Sequence, residues 1–423
     1  MCLCGKLNSG PQSVMKILYL TSHAPQGQEQ GARLRARHIL RVLSQFAEVR
    51  LVLAGAYEKS TETLEAHSNP SFPSEVYDFQ PWSIGGVFDR IHRELGCRYL
   101  NTHGVKATDQ DRRRLLILIR EYDLVWVHGL RIANSFNLWR WPKTILDIDD
   151  IPSAVSKTGI VHGKDVEAKL RAFRRFRMWK RHEAHIFERF DAMAVCSEPD
   201  RAFFGNSERV FVIPNGFDAP SKILVRRPSS PVRIGFIGSL EYPPNAKGLR
   251  WFLQEVWPSI LKSTPDATLR LVGRSSDDIE WATNRNVEGL GWVADADTEM
   301  STWTMTIVPI FEGGGTRIKI SNAFGRKCPV VSTSLGAYGY DVTNQHELLF
   351  ADSALDFARA CLRLIEDPEL SEQLANTAWE KFLKQWTWDA NGPRLERAIR
   401  FVTEHNRVTN HSEYGLFDHH LHA

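Results

Sequence analysis

Short apolar runs alternate with helical stretches along most of this chain, and that alternation limits the fold more than any other feature. From Met15 the order is a strand "KILYL", a loop "GQEQGAR", a helical "LRARHILRVLSQF" and a strand "VRLVLAG". A strand, crossover helix and second strand form a βαβ unit, whose strands run parallel and leave ligands at their carboxyl ends. The runs "DLVWVHG" (123–129), "KTILDIDD" (143–150), "DAMAVCS" (191–197) and "VFVIPNG" (210–216) continue the series. "NGFDAPSKILVRRPSSP" then reads as a linker, and at Val232 a second series opens: "VRIGFIGS", the helical "GLRWFLQEVWPSILKS", "ATLRLVG", "VEGLGWV", "MTIVPI" and "PVVSTS". The expected class is α/β, with two Rossmann-like domains facing each other across a cleft, one over 15–222 and one over 231–385. A helix over 386–406 is expected to cross back to the first domain. Segments 1–14 and 407–423 are read as disordered ends.

With 423 residues, 43% hydrophobic and 24% charged, the chain can bury two cores. Its 53 Lys and Arg stand against 50 Asp and Glu, a net charge of +3 that gives no reason for a nucleic-acid partner. Cys2, Cys4, Cys97, Cys196, Cys328 and Cys361 are scattered, and apart from Cys2 and Cys4 no pair has a zinc-like or disulfide-framework spacing. "MCLCGKLNSGPQSV" lacks a signal-peptide core, and no run of about 18 apolar residues occurs. The expected location is therefore the cytoplasm. The histidines of "DHHLHA" are read as part of a frayed end rather than as a metal site.

The chemistry concentrates in "FEGGGTRIKISNAF" (311–324), where three glycines precede an Arg and a Lys directly after an apolar run. Glycine lets the main chain approach a ligand closely, and a helix beginning at Thr316 would aim free N–H groups and a positive dipole end at it. The expected guest is an anion, a phosphate above all. The loop is not a Walker A, since no Gly-Lys-Ser/Thr follows, and "GFIGS" fails as a dinucleotide fingerprint.

These residues, in this order, resemble the retaining GT-B glycosyltransferases of family 4 from Met15 to about Asn406. The carriers are "GARLRARHILRVL", "IPNGFD", "FIGSLEYPPNAKGLRWFLQEVWP", "GLGWVAD" and "VPIFEGGGTRIKISNAFGRKCPVVSTSLGAYGYDV". The bacterial sugar transferases with a Gly-Gly-Gly-Thr-Arg-x-Lys motif, which make polysaccharides and glycolipids, are the most similar branch. The resemblance implies a nucleotide-diphospho sugar in the C-terminal domain, an acceptor in the N-terminal one, and no required cofactor or metal. It implies that Gly313, Gly314, Gly315, Thr316 and Glu312 hold the donor sugar and phosphate, and that Arg317 and Lys319 neutralise the departing diphosphate. Ser239, Asn245 and Lys247 are placed near the same diphosphate, and Gly273, Arg274, Gly291 and Val293 near the base.

The chain departs from that pattern twice. Family members commonly carry two glutamates eight positions apart across the glycine loop; here those positions hold Gly314 and Asn322. Asn322 still hydrogen-bonds a ribose but lacks a carboxylate's charge-assisted bond. Where many members end a strand with a His near the reacting carbon, "ILDIDDIPS" places Asp149, with Asp147 and Asp150 alongside. Asp149 can stabilise a positive centre or take a proton, or cap the next helix. His128 in "VWVHG" ends a strand on the cleft side, as catalytic group or as satisfied structural histidine. Gly31 and Arg33, with Arg35 and Arg37, are either a cleft loop that clamps a phosphate or the solvated face of a helix.

The expected function is a glycosyltransferase moving a hexose-type unit to a hydroxyl of a glycan or lipid-linked acceptor. Two alternatives stay open: a nucleotide-sugar epimerase or hydrolase using "DIDD", and a non-catalytic binding subunit, favoured by Asn322. The basic, aromatic-studded "KDVEAKLRAFRRFRMWKRHEAHIF" (164–187) fits either a domain helix with a solvated basic side or peripheral contact with an anionic membrane.

Overall fold

The computed structural model describes residues 14–23, 31–55, 74–77, 79–81, 105–162, 165–220 and 225–409. Residues 1–13 of the N-terminal segment, the loop 24–30, Cys2, Cys4, Cys97 and the tail 410–423 lie outside the described residues.

Strands β1 (Lys16–Thr21), β2 (Glu48–Ala54), β3 (Ser74–Tyr77), β4 (Leu124–His128), β5 (Thr144–Ile148), β6 (Ala192–Val195) and β7 (Val210–Val212) form one sheet in the order β3-β2-β1-β4-β5-β6-β7. Ile17 pairs with Val49 on one side and with Leu124 on the other, both in parallel register. Every residue of β4 and β5 is buried, which is why these strands read as mostly apolar runs rather than alternating ones. Helix α1 (Gly31–Leu43) covers the sheet with Ala36, Ile39, Leu40 and Leu43, the i, i+3, i+4, i+7 stripe of an amphipathic helix. Burying one such leucine or isoleucine stabilises by roughly 1.5–3 kcal/mol. The strand order reverses between β1 and β4, so a crevice opens where Thr21 and His128 end their strands.

A second parallel sheet joins β8 (Arg233–Ile237), β9 (Thr268–Val272), β10 (Val287–Gly289), β11 (Met305–Val308), β12 (Val330–Ser332) and β13 (Leu349–Phe350) in the order β10-β9-β8-β11-β12-β13. Its switch point falls between β8 and β11, directly ahead of the glycine loop. The helices that matter for the site are α2 (Pro152–His162), α3 (Val166–Ala184), α4 (Pro243–Trp251), α5 (Trp257–Ser263), α6 (Ile318–Phe324) and α7 (Trp388–Thr409). One core cluster of this sheet centres on Phe252, Trp257, Phe357 and Leu364, another on Trp303, Ile310, Phe324 and Phe382.

Two local expectations are corrected. The single helix read over 248–263 is broken by a π turn, Phe252–Val256, where the Trp257 N–H reaches Phe252 O. Pro258 has no N–H to give, and the widened turn absorbs the missing bond. The helix expected from Thr316 starts instead at Ile318, because Gly315 sits at φ 69° and Arg317 is extended at φ −89°, ψ 98°. Trp386 packs on Phe324 and Tyr340 just before α7 begins.

Two compact units result: Met1–Ile148 with His182–Ala194 and Leu395–Ala423, and Asp149–Arg181 with Val195–Arg394.

Candidate functional site

The glycine loop emerges from β11 and turns back into α6 within the second unit. Gly313 and Gly315 have φ of 102° and 69°, a region that costs other residues roughly 1–2 kcal/mol. Space adds a second reason for glycine. A Cβ on Gly315 would stand 2.0 Å from Asp150 Oδ1, and one on Gly314 would stand 2.7 Å from Val155 Cγ2 of α2. The loop therefore lies with its backbone bare against the segment that follows β5.

Arg317 folds back on this loop, donating through Nη1 to Gly314 O and through Nη2 to Glu312 O at 3.3 Å. Its Nε is buried with no hydrogen-bond partner. Thr316 Oγ1 accepts from Asn215 Nδ2 at 3.0 Å, so the "IPNGFD" segment fixes the loop's exit. Lys319 reaches inward: Nζ donates to Asn245 Oδ1 at 2.8 Å and lies 4.2 Å from the centre of the Phe236 ring. Asn245 in turn donates to Ser239 O at 2.7 Å, tying α4 to the turn after β8. Loss of water around the Lys319 ammonium, and then the Arg317 charge, lower its pKa to about 7.

Lys247 is half-exposed and ion-paired with Glu312, Nζ to Oε2 at 2.8 Å. The two residues expected to touch a donor thus hold each other at the mouth of the loop. Gly273 (φ 131°) lets the ends of β8 and β9 close up, since a Cβ there would stand 2.4 Å from Gly238 O. Its N–H donates to Gly291 O at 2.8 Å, while the Leu240 N–H donates to Arg274 O at 2.9 Å. Val293 packs against the core cluster around Val272 and Trp303. Ser239, Asn245, Lys247, Gly273, Arg274, Val293 and the loop residues Glu312 to Thr316 therefore gather around the carboxyl ends of β8 to β11. Asn322 sits farther along α6, where its Oδ1 accepts from Arg326 Nη1. Arg326 also donates Nε to Asp297 Oδ1 at 2.7 Å and stacks 5.0 Å over Phe217.

The carboxylates of "DIDD" have different surroundings. Asp149 is partly buried and accepts from Cys196 Sγ at 3.7 Å. Its neighbour Asp150 is the one against the glycine loop. Part of the Asp150 side chain stays open to solvent, yet the protein packed around its carboxyl displaces water and, with Asp149 adding to the effect and Arg317 opposing it, pushes its pKa up to about 6. Glycine at 315 was the sequence signal for this neighbour, but only the fold says which residue fills the space.

In the first unit, His128 is 5% exposed at the end of β4, with Nδ1 3.2 Å from Thr21 Oγ1 and the His23 ring 5.7 Å away. Asp147 is wholly buried and takes Arg35 Nη2 at 2.6 Å and Trp126 Nε1 at 3.3 Å. Arg35 is therefore neither a clamp nor part of a solvated face, while Arg33 stays partly buried on α1 beside Gly31, its first residue. Among the described residues no group of three His, Cys, Asp or Glu is placed to hold a metal ion.

Residues 231–367 match the family model described as glycosyl transferases group 1. Among curated proteins the chain is 25% identical over 154 residues to an uncharacterized 44.6 kDa protein in the cps region of Klebsiella pneumoniae. That match takes in 34% of this chain and 40% of the relative, less than half of its length. Among solved structures it is similar to HepE of Anabaena in complex with UDP-glucose, with a TM-score of 0.61 at 17% identity over 91% of this chain and 99% of that one. It is also similar to a mutant of S. aureus TarM in complex with fondaparinux, alpha-GlcNAc-glycerol and UDP, with a TM-score of 0.60 at 11% identity over 91% and 99% of the two chains. The fold is thus that of the GT-B glycosyltransferases.

Proposed function

We propose, from the match of residues 231–367 to the group 1 glycosyl transferases, that the chain moves a hexose-type sugar from a nucleotide-diphospho sugar to a hydroxyl of a glycan or lipid-linked acceptor, with retention. The observation that carries the reading is the glycine loop at the β8/β11 switch point, with Arg317 folded back on it and Lys319 held by Asn245 beside the end of β8. Main-chain groups of Gly313 to Gly315 receive the donor's sugar and phosphates. Arg317 and Lys319 neutralise charge as it builds on the departing diphosphate, each such donor contributing on the order of 3 kcal/mol in the transition state.

The UDP-glucose in HepE and the UDP in TarM support uracil as the base here, and the cps-region relative supports polysaccharide assembly as the setting. Retention follows front-face attack: the acceptor oxygen forms its bond on the face that the leaving phosphate vacates, and a phosphate oxygen takes the acceptor proton. No separate base is needed, so Asp149 and His128 serve to shape the sugar and acceptor sites. Asp150 replaces Asp149 as the carboxylate facing the donor sugar. The enzyme works in the cytoplasm and meets a lipid-linked acceptor at the inner face of the membrane.

Product analysis separates this reading from hydrolysis or epimerisation. Incubation with UDP-glucose and an acceptor glycan should give a disaccharide linkage only when both are present. Rapid release or isomerisation of the sugar from donor alone would replace the transferase by a hydrolase or epimerase. A second reading, a donor-binding subunit without activity, draws on the Asn322 side chain being engaged by Arg326.

A further inference from the structure

We infer that the outward face of α3 seats this protein on an anionic lipid bilayer. At 100° per residue, Val166, Leu170, Phe173 and Arg177 fall on one line of the helix. The three apolar members are 83%, 50% and 44% exposed. The opposite face is the one that packs inward, through Ala172 and Trp179, both nearly fully buried. The helix therefore has two apolar faces, and among the described residues only one of them is buried by the fold.

Cations flank the outward stripe. Lys169 and Lys180 stand on one side of it, Arg174 and Arg181 on the other. Across Val166–Ala184 seven Lys and Arg face two Glu. Glu183 is buried, and Glu167 is spent on Arg171 at 3.1 Å, off the line of the stripe. Lys180 also lies 4.0 Å from the centre of the Phe203 ring, itself 37% exposed.

A helix face meant only for water has no use for a valine, a leucine and a phenylalanine in register. A nucleic acid or acidic protein would meet Val166, Leu170 and Phe173 between the cations, apolar side chains that offer its charges no partner. An anionic bilayer satisfies both features: the stripe enters the boundary between headgroups and acyl chains, and the flanking cations stay level with the phosphates. Each Lys or Arg near such a surface strengthens binding about five-fold, and salt weakens it.

The inference deepens the proposed function by naming the surface that would bring the enzyme to a lipid-linked acceptor. It is tested without donor or acceptor, so the two can fail separately. The full-length protein is sedimented with phosphatidylcholine vesicles and with vesicles holding about 30% phosphatidylglycerol. The expected result is binding to the second and little to the first. Leu170→Ser with Phe173→Ser should abolish it although no charge changes, and Lys169→Glu with Arg177→Glu should weaken it more than about twenty-fold. Should the serine variant fail to fold, as judged by circular dichroism, the charge-reversed one carries the test alone, with UDP affinity unchanged. Absence of binding to anionic vesicles, or binding indifferent to both variants, would overturn the inference. So would tighter binding to duplex DNA or polyglutamate that the serine substitutions leave intact.

Discussion

The Lys319 ammonium donates to Asn245 Oδ1 at 2.8 Å, in a setting that lowers its pKa to about 7. An amide and an aromatic ring are weak compensation for lost water, so an anion placed beside the ammonium would stabilise it. In the unfolded chain this lysine titrates near 10.4. Between about 7 and 10 the unfolded chain holds more protons, and stability rises with pH there; below 7 the charged lysine is a cost. A bound diphosphate reverses the balance by favouring the charged form. Binding of UDP at pH 8 should therefore draw protons from solution, measured by calorimetry in buffers of different ionisation enthalpy. Lys319→Met should remove the uptake, and a wild type that takes up none would contradict this view of the lysine.

Asp150 gives the opposite sign. Its pKa of about 6 lies above the unfolded value near 3.9, so the folded chain holds the extra proton between them and loses stability as pH rises through 6. Asp150→Asn keeps the shape beside Gly315 and removes the charge. Thermal melts should show the variant more stable than wild type at pH 7.5, with the gain gone near pH 4. A variant less stable at pH 7.5 would mean that the attraction of Arg317 outweighs the lost hydration.

The buried pair of Arg35 and Asp147 supplies a stability test in the first unit. Asp147→Ala takes the carboxylate away from a buried guanidinium and should cost about 3–5 kcal/mol. Replacing both residues by apolar ones of similar size should cost far less. Urea denaturation of the single and double variants decides it, and equal losses would show that the pair contributes through its volume alone.

Asn322→Glu returns a carboxylate next to Arg326, where Asp297 already shares the guanidinium. If this residue meets the ribose, the variant should discriminate UDP from 2′-deoxy-UDP roughly ten-fold more strongly than wild type, since a charge-assisted bond is about twice as strong as a neutral one. An increase in an already measurable transfer rate would rule out the inactive-subunit reading. Unchanged discrimination would place the ribose away from α6.

Both sheets were legible because parallel strands buried on both faces leave mostly apolar runs without alternation, as "LVWVH" and "TILDI" do. The two-residue β13 leaves too little pattern to read, and β3 (Ser74–Tyr77) carries the polar Ser74 and Glu75 among its four residues. The glycine loop and its cations were equally visible, since Gly-Gly-Gly followed by Arg and Lys has few uses. Which aspartate of "DIDD" does what was not. Three neighbours that look alike in sequence fall to a buried ion pair (Asp147), a thiol contact (Asp149) and the glycine loop (Asp150), and only the partners across the fold separate them. Arg35 escaped for the same reason: its partner lies 112 residues away.

The most direct test is to titrate the protein with UDP, GDP, ADP and dTDP by calorimetry, with and without a divalent metal, using Arg317→Ala as control. UDP should bind, and the substitution should weaken it by roughly ten- to a hundred-fold, as loss of a charge-assisted bond to phosphate does. Failure of every diphosphate to bind, or equal affinity in the Arg317→Ala variant, would contradict a donor site at the glycine loop.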